Sequence, residues 1–155
     1  MSQTRKRLES LGFSLPDLNR GNASCEPYSK VANLFFMSGQ GARNVDNTLR
    51  KGRLGDTYSV EDGYRDAQTI GLQLLATAER AIGDLDKIVR VVKIHGMVNA
   101  DAAFEDHPKV IDGCSKLFLE VLGERGKHSR TAMGASSLPG GIAVEIEAIF
   151  AIDGD

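Results

Sequence analysis

The sequence predicts an α/β chain of the α+β kind, with one mixed sheet covered on one face by two helices. Two long segments carry apolar residues at helical spacing. Several others are extended, either β-branched throughout or alternating apolar and polar. The two patterns interleave as α, β, β, α, β, α, β, β. With 155 residues the chain has the size of a single domain, 1–155, able to bury a core without disulfide support.

The elements follow in order. Thr4 to Leu11 favours a short helix, with Leu8 and Leu11 three apart and Gly12 as its stop. Pro16, Asn19, Gly21 and Asn22 form a turn-rich link. Cys25 to Ser38 reads as a hairpin turning near Ala32 and Asn33, its second arm carrying Leu34, Phe35, Phe36 and Met37. Gly39 and Gly41 open a polar stretch to Tyr58, where Arg43, Arg50, Lys51 and Arg53 form either a solvated loop or a phosphate contact.

Ser59, with Asp62 three residues on, predicts a capped helix start. The helix then buries Tyr64, Ala67, Ile70, Gly71, Leu74, Leu75, Ala78, Ala81 and Ile82 on one stripe and ends at Gly83. Ile88 to Ile94 predicts an interior strand, apolar on both faces except at Arg90 and Lys93, with Gly96 and Asn99 leading out of it. Asp106 caps a second helix running to about Arg125, with Val110, Ile111, Cys114, Leu117, Phe118, Val121 and Leu122 on its buried face. A C-terminal strand pair, Ser129 to Ile152, turns at Leu138-Pro139-Gly140-Gly141. A sheet apolar on both sides needs a cover for its second face, and a further copy of the chain supplies one.

Composition narrows the function. A formal net charge of -2 gives no strong pull toward nucleic acid or anionic membrane. Nor is there a membrane-length apolar run or an export signal, so a cytoplasmic location is expected. Cys25 and Cys114 are too far apart for a metal-binding or redox motif and read as reduced, packed residues; His95, His107 and His128 share no ligand spacing, so no metal is expected. Gly39-Gln40-Gly41 lacks the third glycine and the following helix of a dinucleotide site. Ser24, Cys25 and Ser38 lack the context of a catalytic triad.

Arg130, at the head of a strand, can hold a carboxylate through two parallel hydrogen bonds, or can serve as a structural ion pair. Glu145 can orient a water or move a proton, or can be an ordinary strand carboxylate. Spacing alone leaves both pairs of alternatives open.

Pro27-Tyr28-Ser29, Leu34-Phe35-Phe36-Met37-Ser38-Gly39-Gln40, Ser129-Arg130-Thr131-Ala132-Met133, Leu138-Pro139 and Val144-Glu145-Ile146-Glu147-Ala148 together resemble the reactive intermediate deaminase family, also called RidA or YjgF. The resemblance covers about Cys25 to Ile152. It implies a chorismate-mutase-like fold of the bacillary type, assembled as a homotrimer around a central β-barrel with ligand clefts between subunits. It also implies cofactor-free hydrolysis of 2-imino or enamino acids to 2-keto acids and ammonia. Arg130 would bind the substrate carboxylate and Glu145 would place the water, with Tyr28, Ser38, Gly39 and the backbone at Ala132 lining the cleft. Ile111 falls where the family carries a cleft asparagine, and Ala132 replaces a common cysteine. With the N-terminal extension of residues 1–22 and extra residues near Asp101 to His107, these departures imply a divergent branch. The alternatives are a non-catalytic trimer that binds a small carboxylate metabolite and, from a name attached to parts of the family, an endoribonuclease.

Overall fold

The computed structural model describes residues 2–18 and 24–154. Asn19, Gly21 and Asn22 of the expected link lie outside the described residues. Helix α1 spans Gln3–Ser10, and Ser2 caps it by accepting from the Arg5 backbone N–H. Strands β1 (Tyr28–Val31) and β2 (Leu34–Gly41) form the hairpin, with Ala32 in the turn at φ 51°. Helix α2 covers Val60–Ile82, with Ser59 accepting from the Asp62 N–H and Gly83 closing the helix in the left-handed region at φ 79°. Strand β3 is Ile88–Asn99, helix α3 is His107–Leu122, and strands β4 (Ser129–Ala135) and β5 (Val144–Ile152) complete the fold.

The five strands are ordered β1-β2-β5-β3-β4. β3 pairs antiparallel with β5 and parallel with β4, so the sheet is mixed. Helices α2 and α3 cover one face. Between them and the sheet lies a continuous core containing Phe35, Ile70, Leu74, Ile94, Leu117, Phe118, Val144 and Phe150.

Five expectations change. The C-terminal strands are not neighbours, because β3 runs between them. β3 itself continues past Ile94 to Asn99: at Gly96 the missing side chain makes room for Ile111 of α3, so the glycine is a packing residue and not an exit from the strand. Helix α3 ends at Leu122, and a 3-10 turn, Gly123–Gly126, carries the chain on. The second face of the sheet is mixed and not apolar. It presents Phe36, Ile149, Met97 and Met133 beside Arg90, Lys93, His95, Glu145 and Glu147: strict alternation along β5 turns both glutamates out, and irregularities in the β3–β5 register turn out both Arg90 and Lys93. Of the cysteines, Cys114 is buried but Cys25 is exposed.

Candidate functional site

Glu145 stands on the uncovered face of β5, opposite Gly41 of β2 and Met97 of β3. Its neighbour across the sheet owes its shape to a bulge. The β2–β5 register shifts between Met37 and Gln40, which places the extra residue of β2 at Ser38-Gly39. A Cβ on Gly39 would lie 2.5 Å from Glu145 Oε1, so only glycine leaves the carboxylate its present position. Burial, reinforced by the nearby negative charge of Glu147, holds the Glu145 carboxyl above the usual carboxylate range. Such a group is suited to exchanging a proton with a bound water.

Ser38 precedes Gly39 in the bulge, but its hydroxyl is engaged. Ser38 Oγ donates to the Glu26 carbonyl at 2.7 Å and its N–H to the Pro27 carbonyl at 3.0 Å, fastening the approach to β1 onto β2. Tyr28 lies on the helix side of β1, stacked on Phe35 with ring centroids 4.2 Å apart. It lines a cavity of about 440 Å³ that includes Pro16, Pro27, Thr77 and Arg80.

Arg130 occupies the other side of the molecule. It pairs in register with Ile94, and both residues face α3. Its Nη1 donates to Asp112 Oδ1 at 2.7 Å and to Ser115 Oγ at 3.1 Å. Ser115 Oγ also lies 3.0 Å from His128 Nε2, and His128 Nδ1 lies 2.6 Å from the Gly126 carbonyl oxygen. The chain of bonds therefore reaches from α3 through the serine to the turn before β4. Asp112 and Ser115, three apart on α3, are the partners that sequence reasoning missed; their spacing at the margin of an apolar stripe was the available signal.

Ile111 is not a cleft residue. It is fully buried against Gly96, since the phase of α3 turns it into the core and brings its neighbour Asp112 to Arg130. Ala132 follows Arg130 on the same side of β4, opposite Gly96, and packs at the margin of the core.

Within one chain, Gly39 and Glu145 come together and Arg130 does not join them. Arg130 faces the helices while Glu145 faces away from them. The two are separated by two strand spacings and three residues of register, roughly 14 Å between Cα atoms. Tyr28 and Arg130 lie on the opposite edge strands, β1 and β4.

The basic stretch is partly tied down. Arg50 Nη1 donates to Asp66 Oδ1 at 3.0 Å and Tyr58 OH to Asp66 Oδ2 at 2.8 Å, while Arg43 Nη1 donates to the Asn47 carbonyl at 2.8 Å. Lys51 and Arg53 are exposed. Among the described residues there is no group of three or more side chains placed to hold a metal ion, and no helix is long and apolar enough to cross a membrane.

Comparison with known proteins finds close likenesses over most of the chain. A sequence model of the YjgF/chorismate-mutase-like endoribonuclease family matches residues 5–147. Protein TCP17 of Trypanosoma cruzi is 34% identical over 147 residues, 94% of this chain and 92% of that protein. The crystal structure of Atu1372, a protein of unknown function from Agrobacterium tumefaciens, superposes with a TM-score of 0.88 at 38% identity, covering 97% of this chain and 94% of the other. A Shewanella oneidensis protein bearing the endoribonuclease name gives 0.92 at 30% identity, covering 97% and 100%. RidA from an Antarctic Psychrobacter shares the fold at a TM-score of 0.55 and 23% identity, covering 89% and 94%.

Proposed function

Because this chain belongs to the YjgF/chorismate-mutase-like endoribonuclease family, in a branch that diverges from RidA, we propose that it hydrolyses small 2-imino or enamino acids in clefts between subunits of a homotrimer. The observation that carries this reading is Glu145, a carboxyl of raised pKa above the glycine of a β-bulge on an uncovered sheet face. The separation of Arg130 from Glu145 supports the assembly: a site using both must draw them from different copies.

In the proposed reaction Arg130 holds the substrate carboxylate through the part of its guanidinium not turned to Asp112. Water adds to the carbon of the protonated imine as Glu145 accepts its proton, giving a neutral carbinolamine. The carboxyl then returns that proton to nitrogen, and as the C–N bond breaks the regenerated Glu145 carboxylate takes the hydroxyl proton, leaving a 2-keto acid and ammonia, which picks up the proton the imine carried. Addition, elimination and proton transfer complete the balance, with no electron transferred and no redox cofactor required.

The test is an amino-acid oxidase assay that generates the imino acid in situ. Wild type should accelerate its loss and Arg130→Ala should reduce the acceleration by at least about a hundredfold, the scale expected when a positioning contact is removed. Equal rates for the two proteins would sink the reading. The Arg130–Asp112 pair favours a second possibility, a regulatory trimer that binds a keto acid without turnover. Thermal stabilisation by keto acids combined with no imine hydrolysis would select it. RNA cleavage, the activity in the family's name, is checked in the same preparations.

A further inference from the structure

The contact between Asp112 and Arg130 supplies more than a fixed side chain. Nη1 of Arg130 is held from α3 at two points, by the Asp112 carboxylate at 2.7 Å and by Ser115 Oγ at 3.1 Å. Ser115 is itself fixed by His128. This clamp sets the plane of the guanidinium, and among the described residues no hydrogen bond occupies its Nε and Nη2 edge, the edge that can grip a carboxylate with two parallel bonds. The side chains are only partly exposed, 25% for Arg130 and 35% for Asp112, so their charges are incompletely screened. The anchor as a whole is close to neutral.

A ligand carboxylate entering at the free edge meets the attraction of Arg130 and, a few ångströms behind it, the repulsion of Asp112. One carboxylate with two bonds to the guanidinium tolerates this. A second negative charge on the ligand adds to that repulsion, and the Arg130–Asp112 pair itself offers it no further cation. We propose that Asp112 is a specificity-determining residue that orients Arg130 and restricts the site to monocarboxylates, excluding dicarboxylates. This role rests on the proposed function, in which Arg130 holds the substrate carboxylate.

The test is binding of 2-ketobutyrate and of 2-ketoglutarate, measured by calorimetry on wild type, Asp112→Asn and Asp112→Glu. The amide keeps an oxygen for Arg130 but removes the charge. Wild type should prefer the monocarboxylate by about tenfold or more, and Asp112→Asn should narrow this to about threefold or less while tightening both acids. Asp112→Glu should keep the preference. An unchanged ratio in Asp112→Asn, or equal weakening of both acids, would reduce Asp112 to a structural partner and overturn the inference. Failure of wild type to bind either acid would instead overturn the proposed site, and this role with it. Should Asp112→Asn not fold, Asp112→Ser removes the same charge together with the bond to Arg130, so only the ratio of the two acids is read, and an unchanged ratio overturns the inference.

Discussion

At Gly39 the Glu145 side chain leaves no room for a Cβ. The atoms a methyl group would meet belong to the movable end of Glu145, so Gly39→Ala should displace the carboxylate and leave the sheet in place. The expected result is a loss of turnover of about tenfold to a hundredfold with stability changed by under about 1 kcal/mol. Steady-state kinetics together with melting separate the two effects. Glu145 also makes a pH prediction. As a base it acts when ionised, so activity should rise with pH through its pKa, and burial first, then Glu147, sets that pKa above the ordinary range. Glu147→Gln removes a like charge and should move the acid limb of the rate profile down. A limb that stays put would break the link between Glu145 and turnover.

At the scale of elements, Asp66 of α2 anchors the long polar stretch before it. Its side chain is 1% exposed and accepts from both Arg50 and Tyr58. That stretch is also stitched to the approach to β5, where the Ala143 N–H donates to the Arg50 carbonyl, two residues before Glu145. Arg50→Met leaves a buried carboxylate without its cation and should destabilise the fold by roughly 2 kcal/mol near neutral pH, on the low side of buried pairs because Tyr58 still donates. Burial raises the folded pKa of Asp66 above its unfolded value. Ionisation of Asp66 therefore subtracts stability as pH rises through the folded pKa, and protonation relieves the missing cation. Denaturant titrations should accordingly show a smaller loss at about pH 5 than at about pH 7.

The elements differed in how far sequence exposed them. Ser59, Gly83 and the Ala32-Asn33 turn act through local backbone chemistry and were legible. The insertion of β3 between β4 and β5 depends on pairing between distant segments, which no local pattern encodes. The apolar stripe of α3 already put Ile111 on the buried face; its cleft reading came from an ungapped match to the family, and one residue along α3 separates the core from Arg130.

For the molecule as a whole, the uncovered sheet face is the organising feature. Phe36, Val31 and Met133 are 40%, 61% and 46% exposed on it, the same face that carries Glu145. Under the proposed function, a further copy of the chain covers these side chains. The motifs that carry the family resemblance were legible as residues, whereas their distribution over two faces and both edges of the sheet was not. That distribution makes a shared site testable by complementation. Arg130→Ala and Glu145→Gln, each inactive alone, are unfolded together, refolded as a mixture and assayed for imine hydrolysis. If each site takes Arg130 from one copy and Glu145 from another, random mixing should restore about a quarter of wild-type activity. A mixture as inactive as its two components would contradict a site shared between copies.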